Sequence, residues 1–168
     1  MSRTLGRGGL TIRTGPGLFL VLCLLVAPAH ADFYLGLRLG DMNIDGPTRE
    51  NPTNAALYLG YQLDNRLADV SIAAEVNRST RRGETRSGED LEFESEAIYV
   101  EVTTTSSLFA TFRTGYLYDN IVIDDRSDRG SGLLLGAGIG FVSGSARFRL
   151  EFTRMAGDAD FISLGVQF

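Results

Sequence analysis

Beyond residue 32, apolar side chains recur on every second position in stretch after stretch. The positions between them carry glycine, small polar groups or charge. In "FYLGLRLG", Phe33, Leu35, Leu37 and Leu39 share one face, and Tyr34, Gly36, Arg38 and Gly40 share the other. A period of two belongs to the extended strand, whose successive side chains point to opposite sides. The same period returns in "AALYLGYQL", "LADVSIAAEVN", "LFATFRTGYLY", "LLLGAGIGFV", "ARFRLEFTR" and "FISLGVQF". Helical spacing is not sustained anywhere over the length a helix needs. An eighth segment, "LEFESEAIYVEVT", reads two ways. Either Phe93, Ala97 and Tyr99 lie on the apolar side, or Ile98, Val100 and Val102 do, with Glu92, Glu94 and Glu96 inside or above the apolar band.

The links between these segments alternate in length. Those at 64–66, 103–107 and 143–145 are short. Those at 41–53, 78–90 and 119–131 are long and polar, and 155–160 is intermediate. If the strands run up and down, every long link falls at one end and every short one at the other. Strands of about 9–11 residues with short turns at one end and long loops at the other are the pattern of a membrane barrel. The expected fold is all-β: an eight-stranded, antiparallel, up-and-down transmembrane β-barrel over residues 32–168.

The distribution of polarity between the faces supports the membrane. A soluble sandwich hides its apolar face and shows its polar one. Here the polar face is crowded with glycine (Gly36, Gly40, Gly60, Gly115, Gly136, Gly138, Gly140 and Gly165), which suits a narrow interior. Arg38, Glu75, Arg113, Arg147, Arg149 and Glu151 on that face can neutralise one another inside. Phe33, Tyr61, Tyr116, Tyr118, Phe141 and Phe168 stand near strand ends, where interfacial aromatic girdles form. In lipid every backbone N–H and C=O must be paired, so the sheet must close on itself. A soluble periplasmic lipid-binding barrel is the competing architecture.

The N-terminal segment reads as a leader. Arg3, Arg7 and Arg13 precede the uncharged run "LFLVLCLLVA", then Pro28 and an A-x-A site at Ala29 and Ala31. This is the form of a secretory signal peptide, expected to be cleaved after Ala31. The only cysteine, Cys23, and the only histidine, His30, lie within it. The remaining chain therefore has no thiol or imidazole for catalysis, disulfides or metal ligation. It carries 13 arginines and no lysine against 21 acids, a formal charge of −8, which argues against nucleic acid.

With these features the chain resembles the small outer-membrane β-barrels of Gram-negative bacteria, the opacity-protein and OmpA/OmpX-like, porin-like group. The resemblance covers the leader and the rest of the chain. It is carried by "GYLYDN" at Gly115, by "LEFTRMAGDADFISLGVQF", and by a terminal Phe168 preceded by the alternating Ile162, Leu164 and Val166. In that group the C-terminal pattern is a signal read by the outer-membrane assembly machinery. Many members have two aromatics after the last glycine, whereas here Val166, Gln167 and Phe168 follow Gly165. The resemblance implies Sec export to the cell outer membrane, contact with membrane lipid and lipopolysaccharide, and loops at the cell surface that can meet a host or other extracellular ligand. Enzymes of the same size, lipid A deacylases and palmitoyltransferases, work through a His-activated Ser. No His follows His30, so that arrangement has no base here.

Several groups are candidate sites. With about eight strands the interior is only wide enough for side chains to fill it. Arg38, Glu75, Arg113, Arg147, Arg149 and Glu151 then read as a salt-bridged core, with a narrow channel for ions or small apolar solutes as the alternative. Arg78, Arg81, Arg82 and Arg86 in the second long link could face lipopolysaccharide phosphates, which guanidinium forks match. Glu84, Glu89 and Asp90 interleave with them, as in a solvated loop. Asp119, Asp124, Asp125 and Asp128 do not have EF-hand spacing, so no metal is expected. "GAGIG" lacks the helix a dinucleotide fingerprint needs and fits an inward glycine stripe. No cofactor is expected. The functional expectation is a non-enzymatic barrel with a structural, adhesive or surface-binding role.

Overall fold

The computed structural model describes residues 33–46, 48–63, 68–124, 126–156 and 159–168. The leader expected over 1–31, the 64–66 turn and Asp125 lie outside the described residues. Among the described residues ten strands follow in order: β1 (Phe33–Ile44), β2 (Thr48–Glu50), β3 (Thr53–Leu63), β4 (Asp69–Arg81), β5 (Gly83–Thr85), β6 (Asp90–Thr103), β7 (Leu108–Ile123), β8 (Arg126–Ser143), β9 (Ala146–Met155) and β10 (Ala159–Gln167). All pairings are antiparallel. β1 pairs with β3 on one side and β10 on the other, and β6 pairs with β7, so eight long strands close into a barrel. Closure continues to the last residue: Phe168 donates its N–H to the Leu35 carbonyl at 2.9 Å and accepts from the Leu35 N–H at 3.1 Å.

Register sets which side chain faces where, because one residue of slip would exchange the faces. Leu37 lies between Val166 and Leu57, and Ile139 between Leu150 and Ala110. The outer face is therefore a continuous apolar belt, in which Leu164 is 68% exposed and Ile139 66%. On β6 the ambiguity resolves: Ile98, Val100 and Val102 are outward, while Phe93 and Tyr99 are buried inside. Glu92, Glu94 and Glu96 share the outward phase and stand above the belt. The inward alternative for them is corrected, since a period of two from Ile98 carries all three to the outer face.

Much of what reads as long loop is strand. β1 runs on to Ile44, β4 to Arg81, and β7 and β8 continue to Ile123 and Arg126 around Asp124 at φ 49°. The alternation simply persists through Ile121 and Ile123, and no glycine or proline interrupts it there. The short β2 and β5 add a side sheet onto β6 at the same end. Above the Arg78–Glu94 pair, β4 parts from β6, and side chains take over the backbone bonds. Ser79 Oγ accepts from the Phe93 N–H at 2.9 Å, and Asn54 Nδ2 donates to the Phe93 carbonyl at 2.9 Å. Buried backbone polar groups require such partners where a ladder opens.

The interior is layered along its axis. At the long-loop end it is apolar: Met42, Phe93, Leu117, Leu134, Met155 and Phe161 are all buried in one cluster. The other half is polar and charged. The inward face is thus not uniformly glycine, small polar groups and charge. Its loop-side half is an ordinary hydrophobic core inside the barrel.

Candidate functional site

The charged layer is built from inward positions of five strands: Arg38 on β1, Glu75 on β4, Glu101 on β6, Arg113 on β7, and Arg149 with Glu151 on β9. All six are buried. Arg38 pairs with Glu75, and its Nη1 lies 3.2 Å from Glu151 Oε2. Arg113 Nη1 lies 3.4 Å from Glu75 and 3.8 Å from Glu151. Arg149 Nη1 donates to Glu101 at 2.8 Å and to Glu151 at 3.3 Å. Three guanidinium groups meet three carboxylates, so the layer is neutral, the condition under which buried charge is tolerable. Glu151 touches all three arginines and is the hub.

Aromatic rings and glycines complete the packing. The guanidinium carbons of Arg38 and Arg149 each sit 5.4 Å from the centre of the Tyr58 ring, and that of Arg113 sits 5.2 Å from Tyr99. These distances are in the cation–π range. Glycine makes the room. A Cβ at Gly36 would land in the Tyr58 ring, and one at Gly60 in the Tyr34 ring. At Gly165 it would come within 2.8 Å of Arg38 Cγ and 3.1 Å of Arg149 Cγ. The glycine stripe legible in the sequence is the space that the Tyr and Arg side chains occupy.

Of the charged residues read from the sequence, Arg38, Glu75, Arg113, Arg149 and Glu151 come together. Arg147 stands apart, towards the short-turn end, where it donates to Asp69 at 2.7 Å. Glu101 belongs to the layer but is not among the sequence candidates. The ambiguous phase of β6 hid it: once Ile98, Val100 and Val102 are outward, Glu101 must be inward.

The other candidates lie outside the lumen. Arg78 reaches Glu96 at 3.2 Å and Glu94 at 3.6 Å. Arg82 pairs with Asp90 at 2.7 Å and with Glu92, and those carboxylates raise its pKa further above the ordinary guanidinium value. Arg81 donates to Thr53 Oγ1 at 3.2 Å, and Arg86 is exposed at the turn after β5. Ile162, Leu164 and Phe168 are exposed on the outer face of β10, and Val166 lies in the same phase, half-buried. Among the described residues, no three His, Cys, Asp or Glu gather into a metal-binding group.

Aromatics mark both edges of the belt. Phe33 and Tyr61 pack at 5.1 Å, and Phe141 stacks on Phe148 at 5.3 Å, towards the short-turn end. Tyr116 and Tyr118 meet edge-on at 5.5 Å towards the long-loop end.

Solved structures with this architecture include Neisserial surface protein A, with a TM-score of 0.60 at 11% identity, covering 82% of this chain and 96% of that one. Ail, the attachment invasion locus protein of Yersinia pestis, in complex with the heparin analogue sucrose octasulfate, matches with a TM-score of 0.53 at 15% identity, over 81% and 96% of the two chains. The N-terminal barrel domain of Pseudomonas aeruginosa OprF matches at 0.52 and 14%, over 80% and 96%. The fold is that of the small outer-membrane β-barrels. No family model and no curated protein sequence matches the chain. For an outer-membrane barrel, the belt between the two aromatic edges is the surface that meets lipid hydrocarbon, and the cell outer membrane is where such a surface is at home. A soluble lipid-binding barrel would need a polar outer face.

Proposed function

We propose that the protein is a closed, non-conducting outer-membrane barrel without enzymatic activity, acting through the surface its long-loop end presents outside the cell. The lumen supports this reading most directly. A neutral cluster of three Arg and three Glu crosses it, and a separate apolar cluster lies above. Neither layer offers ions a hydrated path. The test is conductance of the refolded barrel in planar bilayers. The expected result is a current near baseline, and regular steps well above it would favour the channel.

The strand extensions form the outer surface. On it, Arg78 and Arg82 are each occupied by two carboxylates. Arg81 and Arg86 are the better candidates for lipopolysaccharide phosphates. The Ail structure carries an oligosulfate ligand, so a barrel of this shape is compatible with anion recognition. Replacing Arg81 and Arg86 together with alanine should weaken binding to lipopolysaccharide vesicles several-fold, while phosphatidylcholine vesicles bind as before. Unchanged lipopolysaccharide binding would remove both residues from the proposal.

A further inference from the structure

The long-loop mouth of the barrel contains a cavity of about 460 Å³, within the size range of small-ligand pockets. Its floor is Ile44, Leu91, Ile121 and Ile123. Ile121 and Ile123 lie on the inward face of β7 and pack on the buried apolar cluster, yet they are only partly covered. Below them Met42, Phe93, Leu117, Leu134 and Phe161 are fully buried, so the cavity is blind.

The rim is charged unequally. Asp45, Glu89 and Asp128 face the cavity against a single Arg126. Asp45 has a further partner in Arg154, at 3.7 Å. Glu89 is held in place through Oε2, which accepts from Ser87 Oγ at 2.6 Å and Thr85 Oγ1 at 3.4 Å. Among the described lining residues, acid is therefore in excess over an apolar floor. An apolar floor under a few fixed polar groups is the general form of a small-molecule site.

We propose that this mouth is a binding pocket for a small organic ammonium ion with an apolar body: the body on the isoleucines, the ammonium among Glu89, Asp128 and Asp45. Access from outside the cell rests on the orientation proposed above, whereas the pocket itself does not. The complementarity is one-sided. A carboxylate of the same shape would meet the same floor and be repelled by the rim.

The test uses the refolded barrel in phospholipid nanodiscs, with 2-phenylethylammonium as the probe and phenylacetate as its charge-reversed counterpart. Methyl NMR signals of Ile44, Ile121 and Ile123 should shift saturably with the ammonium, and phenylacetate should bind at least about tenfold more weakly. Replacing Glu89 with Gln and Asp128 with Asn in one chain should weaken the ammonium by about tenfold or more. Ile123→Arg, which fills the mouth from the inward face near its rim, should abolish the shifts of Ile44 and Ile121 while the spectrum stays that of a folded barrel. Equal binding of both probes, indifference to the Glu89/Asp128 variant, or shifts confined to the belt methyls of Ile72, Ile139 and Ile162 would each overturn the proposal. Conductance is measured separately, so a leaky lumen and an empty mouth give different results.

Discussion

Replacing Glu151 with alanine is expected to destabilise the barrel more than any other single change in the lumen. Its carboxylate answers Arg38 at 3.2 Å, Arg149 at 3.3 Å and Arg113 at 3.8 Å, with its side chain 1% exposed. Removing it leaves three buried guanidinium groups against two buried carboxylates. Breaking one side of a buried ion pair costs about 3–5 kcal/mol. With a urea slope of about 1–3 kcal/mol per molar, the midpoint should fall by roughly 1–5 M. Glu96→Ala, which removes an exposed partner of Arg78, should cost only about 0–1 kcal/mol. Charge balance, rather than any one bond, is at stake. A Glu151→Leu and Arg113→Leu double variant removes one charge of each sign, leaves Arg38 with Glu75 and Arg149 with Glu101, and should recover much of the loss. If Glu151→Ala and Glu96→Ala shift the midpoint equally, the lumen is hydrated and the proposed plug is wrong.

The second large effect belongs to the belt. Leu164 sits mid-strand on β10, opposite Leu39 and Leu150, on the outer face. Leu164→Arg should cost about 2–4 kcal/mol in a bilayer, the penalty for a basic residue at the midplane of a barrel's lipid face. The same substitution at Tyr118, near the edge of the belt, should cost about 0–1 kcal/mol. The comparison is made by urea unfolding from phospholipid vesicles. Equal costs at the two depths would contradict a belt immersed in hydrocarbon.

The closed barrel was legible in the sequence because a period of two is a local signal that each strand carries for itself. Leu37, Leu57, Ile72, Phe112, Ile139, Leu150 and Leu164 can each be assigned to the outer face from their own neighbours. Register across the sheet is a different matter, since it depends on pairing between strands. Which Arg meets which Glu was therefore out of reach: Arg147 turns to Asp69 rather than to the cluster it shares a face with. On β6 the local signal itself failed. Acidic residues alternate with Leu91, Phe93 and Ser95 above the belt, and the apolar positions change phase to Ile98, Val100 and Val102 within it. That phase change reflects two surroundings along one strand: water outside and an apolar core inside above the belt, then lipid outside and a charged core inside within it. The same division explains the apolar upper lumen, where Leu117 and Leu134 fall in the inward phase amid apolar neighbours. It also explains the extended hairpin of β7 and β8, whose polar composition reads as loop although its backbone groups are paired across the two strands.

The most direct measurement of a sealed lumen is the reactivity of a single thiol placed within it. After Cys23 the chain has no further cysteine, so in a barrel refolded from residues 32–168 one can be introduced without background. Ser163 is 2% exposed, faces inward on β10 and lies between Gly40 and Glu151 in the charged layer. Ser163→Cys is nearly isosteric, and Ser106→Cys in the exposed 104–107 turn serves as the reactive control. In vesicles open to reagent on both sides, a small cationic methanethiosulfonate should label position 106 to completion and leave position 163 unmodified until the barrel is unfolded in urea. Labelling of position 163 in the folded barrel, at a rate approaching that of position 106, would mean that water fills the lumen and that the barrel is an open channel.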